Sequence, residues 1–344
     1  MFSNKSSPTW TRRVILAVAM IFAIASPALA QTKIRVMVYQ GAYTSLIPHI
    51  ARDLGIYQKH GLDAEFVAAA SGPAGVAAML GGSIDFAEAP ADQFMLNAIK
   101  GTDLKMVVGN ETQNFYSLIA RDKKSLPNAA KGYPYVILDL KGKTIGVNAL
   151  GATTHLMMNA ILKDVGMSPT DVTYLAVGSA ATGLAAWQAG RVDVQVGFTP
   201  FTQIVTEMGS GEVIFPLSKD GPPALTKLGG AFEGFAATGA YIKQNKATVD
   251  AFVKAHVETI KWMKDPANRS QLADFVRKYV TVSIIPEEIR EKTIGKMIDE
   301  YDQYLGYTID PSAITAWNTY LADSGLASRP VKPEEVIYEG APKP

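Results

Sequence analysis

The chain has 344 residues, enough for two domains that each bury a core, and it carries 33 Lys+Arg against 32 Asp+Glu. That near-neutral balance offers no basic field, so neither nucleic acid nor an anionic membrane surface is expected as a partner. The chain contains no Cys, which excludes disulfides, a cysteine nucleophile and a lipid-modified cysteine.

Lys5, Arg12 and Arg13 precede an unbroken apolar run over 14–25, and Ser26-Pro27-Ala28-Leu29-Ala30 ends it with small residues. This is the three-part pattern of a secretory leader with an A-x-A cleavage site, and the run is shorter than a bilayer span. The pattern predicts removal of residues 1–30, a mature chain starting at Gln31 and a periplasmic location. Without the leader's three basic residues, 30 Lys+Arg face 32 Asp+Glu, a net charge of −2.

Residues 33–38 alternate polar and apolar as a strand does, and a polar loop follows over 40–44. A helix is predicted over 45–57, with Leu46, Ile50, Leu54 and Tyr57 on one face. A strand at 62–67 then leads through the small-residue loop 70–75 into a helix ending at Gly81-Gly82. Strands are predicted again at 84–88 and 104–108, with a helix between them from Asp92 to Lys100. Strands alternating with helices imply a parallel sheet with right-handed crossovers.

The second half repeats the arrangement from Lys143. A short strand enters the loop 148–154, a helix follows to Leu162, and strands recur at 172–175 and 192–196. Thr153 and Thr154 stand where a helix cap belongs. Their loop either caps its own helix or seats the polar head of a ligand on the free N–H groups of the first turn. Gly82-Ser83-Ile84-Asp85-Phe86 before Pro90 is echoed by Gly190-Arg191-Val192-Asp193-Val194 before Pro200. The shared Gly and Asp read as structural, closing a helix and opening a buried strand. Residues 115–120 are expected to cross between the lobes, with a Gly- and Pro-rich return between 215 and 236. From 248 onward the chain reads as helices, wrapped on one lobe.

There is no Gly-x-Ser-x-Gly elbow and no Walker loop. His49, His60, His155 and His256 lack metal-ligand spacing, so no zinc site and no cofactor are expected. The loops at the strand ends are small, polar and hydroxyl-bearing, with Tyr39, Tyr43, Phe115, Tyr116 and Phe198 nearby. In open α/β sheets ligands bind outside those ends, and with two lobes the crevice becomes a cleft.

The order and spacing of Gly55-Ile-Tyr-Gln-Lys-His-Gly-Leu62, Gly82-Ser-Ile-Asp-Phe86, Asp139-Leu-Lys-Gly-Lys-Thr-Ile-Gly-Val147 and Gly190-Arg-Val-Asp193 carry a family resemblance. Over nearly all of the mature chain the sequence resembles the nitrate/sulfonate/taurine and thiamine-pyrimidine-precursor group of periplasmic solute-binding proteins. The resemblance implies a two-lobed α/β fold of the type II binding-protein kind, each lobe a mainly parallel sheet flanked by helices. Lobe 1 is expected over 31–116 plus 236–344 and lobe 2 over 117–235. The implied function is a monomeric, hinge-closing receptor that delivers a small organic solute, an anion or zwitterion, to a membrane permease driven by its ATPase. A sensor subunit and a pyrimidine-precursor binder are the alternatives. A related eukaryotic synthase carries a Cys-rich motif that this chain lacks, and no enzyme is expected.

By loop, the family's ligand contacts fall on Tyr43, Thr44, Ser71 and Gly72 in the first lobe. In the second they fall on Asn148, Gly151, Thr153 and Thr154, with Thr199 two strands later. Gln40 and Glu88 lie at strand ends of the same cleft. No Arg falls in these loops, although a dianion is usually held by an Arg fork. Glu88 and Glu111 instead offer themselves to an amine or a protonated ring.

Overall fold

The structure, a computed structural model, describes Met1 and residues 31–344. The expected leader and its cleavage site lie outside the described residues.

The first half builds β1 (Thr32–Val38), helix α1 (Leu46–Asp53), β2 (Leu62–Ala68), α2 (Gly72–Leu80), β3 (Ala87–Pro90), α3 (Ala91–Ile99) and β4 (Leu104–Gln113). β1 and β2 pair in parallel, and a parallel bridge from Val36 to Phe86 links them to the segment entering β3. The predicted helix over 45–57 is interrupted at Gly55, which adopts φ 71° and turns the chain into a separate short helix. Only glycine takes that conformation without strain.

The second half contains β5 (Ser117–Ala120), β6 (Thr144–Val147), α4 (Thr153–Asp164), β7 (Thr173–Ala176), α5 (Ala180–Gln188), β8 (Val194–Gly197), α6 (Phe201–Glu207) and β9 (Glu212–Pro216). These strands form one sheet in the order β7-β6-β8-β5-β9. Then β10 (Gly229–Thr238) returns to the first half and inserts between β3 and β4.

The strands form three sheets, β1-β2, β3-β10-β4 and the five-stranded one, and the two larger sheets are more mixed than expected. β6, β7 and β8 run parallel, but β5 is antiparallel to β8 and β9, and β10 is antiparallel to β3 and β4. The physical reason is the same in each case. A strand that has just crossed from the other sheet enters from the cleft side, where the parallel strands end, and so must run against them. The segment expected to be a Gly- and Pro-rich return therefore contains a full buried strand. The anticipated lobe boundary at 235/236 falls inside β10, and the return itself lies between β9 and β10.

The longer helices after β10 are α7 (Lys246–Lys264), α8 (Arg269–Tyr279), α9 (Glu287–Asp302) and α10 (Ala313–Asp323), with short helices at Gly239–Gln244 and Pro333–Val336 on either side of them. α1 buries Leu46, Ile47 and Ile50 against α7 and α8. The C-terminal helices are expected on one lobe, but α9 also docks on α6 of the second half. There Gln203 donates to Glu300 at 2.9 Å, and Lys292 and Lys296 each pair with Glu207 at 2.8 Å. Among the described residues no helix is long and apolar enough to cross a membrane.

Candidate ligand-binding cleft

The loops after β1, β2, β6, β7 and β8 and the start of α3 meet around one cavity, with contributions from both halves of the chain. Of the residues singled out from the sequence, Gln40, Thr44 and Gly72 line it from the first half, and Asn148, Thr153 and Thr154 from the second. The cavity is small, about 50 Å³, room for a few waters.

The other anticipated residues do not line the cavity. The Tyr43 ring turns inward onto Tyr301, with centroids 4.5 Å apart. Ser71 is the N-cap of α2, its hydroxyl accepting from the Ala74 N–H at 3.4 Å. Thr199 is buried behind the wall. Gly151 is exposed, and its carbonyl accepts from Gln93 at 3.4 Å. Glu88 lies below the floor, accepting from the Thr44 hydroxyl and from the Asn110 amide at 2.8 Å.

The threonines at the start of α4 act differently from the expected caps. Ala152 is the N-cap, and neither hydroxyl caps the helix. The Thr154 oxygen accepts the Asn148 N–H at 3.1 Å and folds the loop back on itself. The Thr153 hydroxyl crosses the cleft and donates to the Asp92 carboxyl at 2.7 Å. Beside it the Gln93 amide donates to Thr153 and to Asp92, at 3.4 and 3.3 Å. His155 stays out of the cavity: it accepts the Gly151 N–H at 3.0 Å and packs edge-on against Tyr174.

Sequence reasoning missed Gln93 and Glu233, and left Tyr39, Phe115, Tyr116 and Phe198 as neighbours only; all line the cavity. Glu233 is a lone acid in the apolar, Gly-rich stretch 229–237, and that isolation was its signal. β10 pairing sets it opposite Glu111 of β4. It is 3% exposed and faces the cavity, and among the described residues its carboxyl has no hydrogen-bond or ion-pair partner.

The electrostatics beneath the floor are acidic. Burial pushes Glu88 and Asp92 up to about 7, and burial with the nearby Glu88 pushes Glu111 up to about 8. Glu233 is raised most by burial, then by Glu111, Glu88 and Asp92. The described lining holds no Arg, Lys or His. Among the described residues no cluster of His, Cys, Asp and Glu is arranged to hold a metal.

This architecture is the periplasmic binding-protein fold. A structure from Bordetella bronchiseptica RB50 matches with a TM-score of 0.73 at 22% identity, over 90% of this chain and 95% of that one. The alkanesulfonate-binding protein SsuA from Xanthomonas axonopodis pv. citri, bound to MOPS, matches at TM-score 0.66 and 19% identity, over 90% and 98%. The nitrate-binding protein NrtA from Synechocystis PCC 6803 matches at TM-score 0.64 and 15% identity, over 85% and 80%. A relative from Brucella abortus (strain 2308), described as a binding protein, is 26% identical over 332 residues, covering 94% of this chain and 96% of its own. The family model of the NMT1-like family matches residues 33–277, and the chain belongs to that family.

Proposed function

We propose that the protein is a periplasmic receptor that closes two lobes over a small organic solute and hands it to a membrane permease powered by an ATPase. The observation that carries this reading is the cavity itself. Loops at strand ends from both halves of the chain enclose it, where an open α/β sheet takes its ligand. Its small volume and the Thr153–Asp92 bond across it describe a closed cleft, so a solute enters by the lobes parting. The strand bounds favour one lobe built from 31–113 with 229–344 and another from 117–216. Gln40, Thr44, Gly72, Asn148, Thr153 and Thr154 are the proposed contacts, joined by Gln93 and Glu233. Sulfonate- and nitrate-binding proteins of the same fold support the receptor role.

Mass spectrometry of solutes retained by the purified protein, followed by calorimetric rebinding, tests the reading. Small-angle scattering should then show a smaller radius of gyration with the solute bound than in the protein stripped of it. An unchanged radius despite confirmed binding refutes closure, and a protein that neither retains nor binds any solute refutes the receptor role.

A further inference from the structure

We infer that the solute is a small organic cation, an ammonium or amidinium head on an apolar body, held by the Glu233 carboxylate inside an aromatic-walled cavity. This rests on the receptor reading above and names the chemistry of its ligand.

Glu233 is nearly fully buried, yet no described residue donates to it or pairs with it. A carboxylate in that position is costly unless something supplies charge and hydrogen bonds. An ammonium or amidinium supplies both at once, through charge-assisted N–H donors. Tyr39, Phe115, Tyr116 and Phe198 form the walls, and aromatic rings attract cations over their faces. An anion in the same place would meet Glu233 with no basic group in the described lining.

The surroundings strengthen the bias. Glu111 faces Glu233 from β4, Glu88 approaches from β3, and Asp92 from the start of α3. The Tyr39 and Tyr116 hydroxyls stay neutral, since burial raises both far above their ordinary value. In the empty cleft burial and the neighbouring Glu111, Glu88 and Asp92 favour the protonated form of Glu233. Entry of a cation then releases a proton from Glu233 to solvent, and the affinity must rise with pH.

Calorimetry tests the inference with butylammonium, benzylammonium and benzamidinium as one panel and nitrate, methanesulfonate and acetate as the other. We expect a cation to bind, and to bind more tightly at about pH 8 than at about pH 6. Glu233→Gln should weaken it about ten- to a hundredfold while leaving the ligand-free unfolding midpoint unchanged or higher, because a neutral amide replaces a carboxyl that burial already disfavours in its charged form. Should that variant fail to fold, the pH profile of the unaltered protein still decides. Anion binding without cation binding overturns the charge assignment and leaves the receptor standing. Cation binding that survives Glu233→Gln, or that weakens as pH rises, also overturns it. Silence from both panels, with no solute retained, overturns the assignment and the receptor together.

Discussion

The Thr153 hydroxyl of one half of the molecule donates to the Asp92 carboxyl of the other across 2.7 Å, and both groups are buried. The bond joins the first turn of α4 to the first turn of α3, so it exists only while the cleft is shut. Thr153→Val keeps the shape and removes the donor, leaving a buried acceptor short of one partner. We expect the closed form to lose about 1–3 kcal/mol. Asp92→Asn keeps an acceptor for Thr153 and should cost much less. Small-angle scattering of the ligand-free proteins should show Thr153→Val expanded and Asp92→Asn close to the unaltered chain. Equal radii for all three would show that the bond does not hold the cleft.

The echo of Gly-x-x-Asp in the two halves has a matched structural role. Asp85 donates its N–H to the Arg35 carbonyl at 2.9 Å and accepts the Arg35 N–H at 2.7 Å on its carboxylate. Asp193 does the same with Thr144, at 2.9 and 2.8 Å. Each Asp thereby ties the start of an incoming strand to the backbone of a neighbouring strand, β1 in one half and β6 in the other. Asp85→Ala and Asp193→Ala should each destabilise by about 1–3 kcal/mol in denaturant titrations, with ligand affinity unchanged in the folded protein. A loss of affinity at constant stability would reassign them to the site.

Those two aspartates were legible because their role is local: a glycine ends a helix, and a carboxylate meets a backbone N–H of the neighbouring strand. The alternation of strands and helices was legible for the same reason, and it located the loops that supply Gln40, Thr44, Gly72, Asn148, Thr153 and Thr154. What one loop cannot reveal is direction. Tyr43 lies one residue before Thr44, yet it turns inward onto Tyr301 of α9, far along the chain. Glu233 reaches the cavity only because β10 inserts between β3 and β4, a pairing that its Gly-rich sequence disguised as a return loop. Gln93 sits within a helix, where a loop-based reading does not look.

Gly234, next to Glu233, is the tightest backbone approach in that insertion. A Cβ there would overlap the Val108 carbonyl oxygen and come within 3.0 Å of the Gly109 Cα, both backbone atoms that cannot swing away. Gly234→Ala should therefore cost about 1–3 kcal/mol or more through strand displacement, and should misplace Glu233. Gly82→Ala is the control: its Cβ would meet nothing within 4 Å, and the cost is confined to its φ of 75°, about 1–2 kcal/mol. Denaturant midpoints decide, and Gly234→Ala should also weaken ligand binding, whereas Gly82→Ala should not. Equal stability and equal affinity for the two variants would contradict the close packing described here.

The buried acids set a pH dependence whose sign is opposite to that of salt-bridged carboxylates. Glu88 and Asp92 titrate near 7 and Glu111 near 8 in the folded chain, whereas an unfolded carboxyl titrates near its ordinary 3.8 or 4.5. The folded state thus binds more protons than the unfolded one in between. Their stabilisation is complete below the unfolded values and is lost as pH rises through the folded ones. His49 and His256, depressed by burial to about 4 and about 3, act the other way, but only below the ordinary histidine value of 6.5. From about pH 6.5 to about pH 8 the carboxyls therefore dominate, and the ligand-free protein should lose stability steadily across that window. Urea unfolding at intervals of half a pH unit measures it. Glu111→Gln should flatten the slope by removing a carboxyl that burial and Glu88 push up to about 8, at a position where the Tyr301 hydroxyl still finds an acceptor. A stability that climbs between pH 6.5 and 8 would mean that these carboxyls are ionised and paired in the folded protein, contrary to the burial that surrounds them.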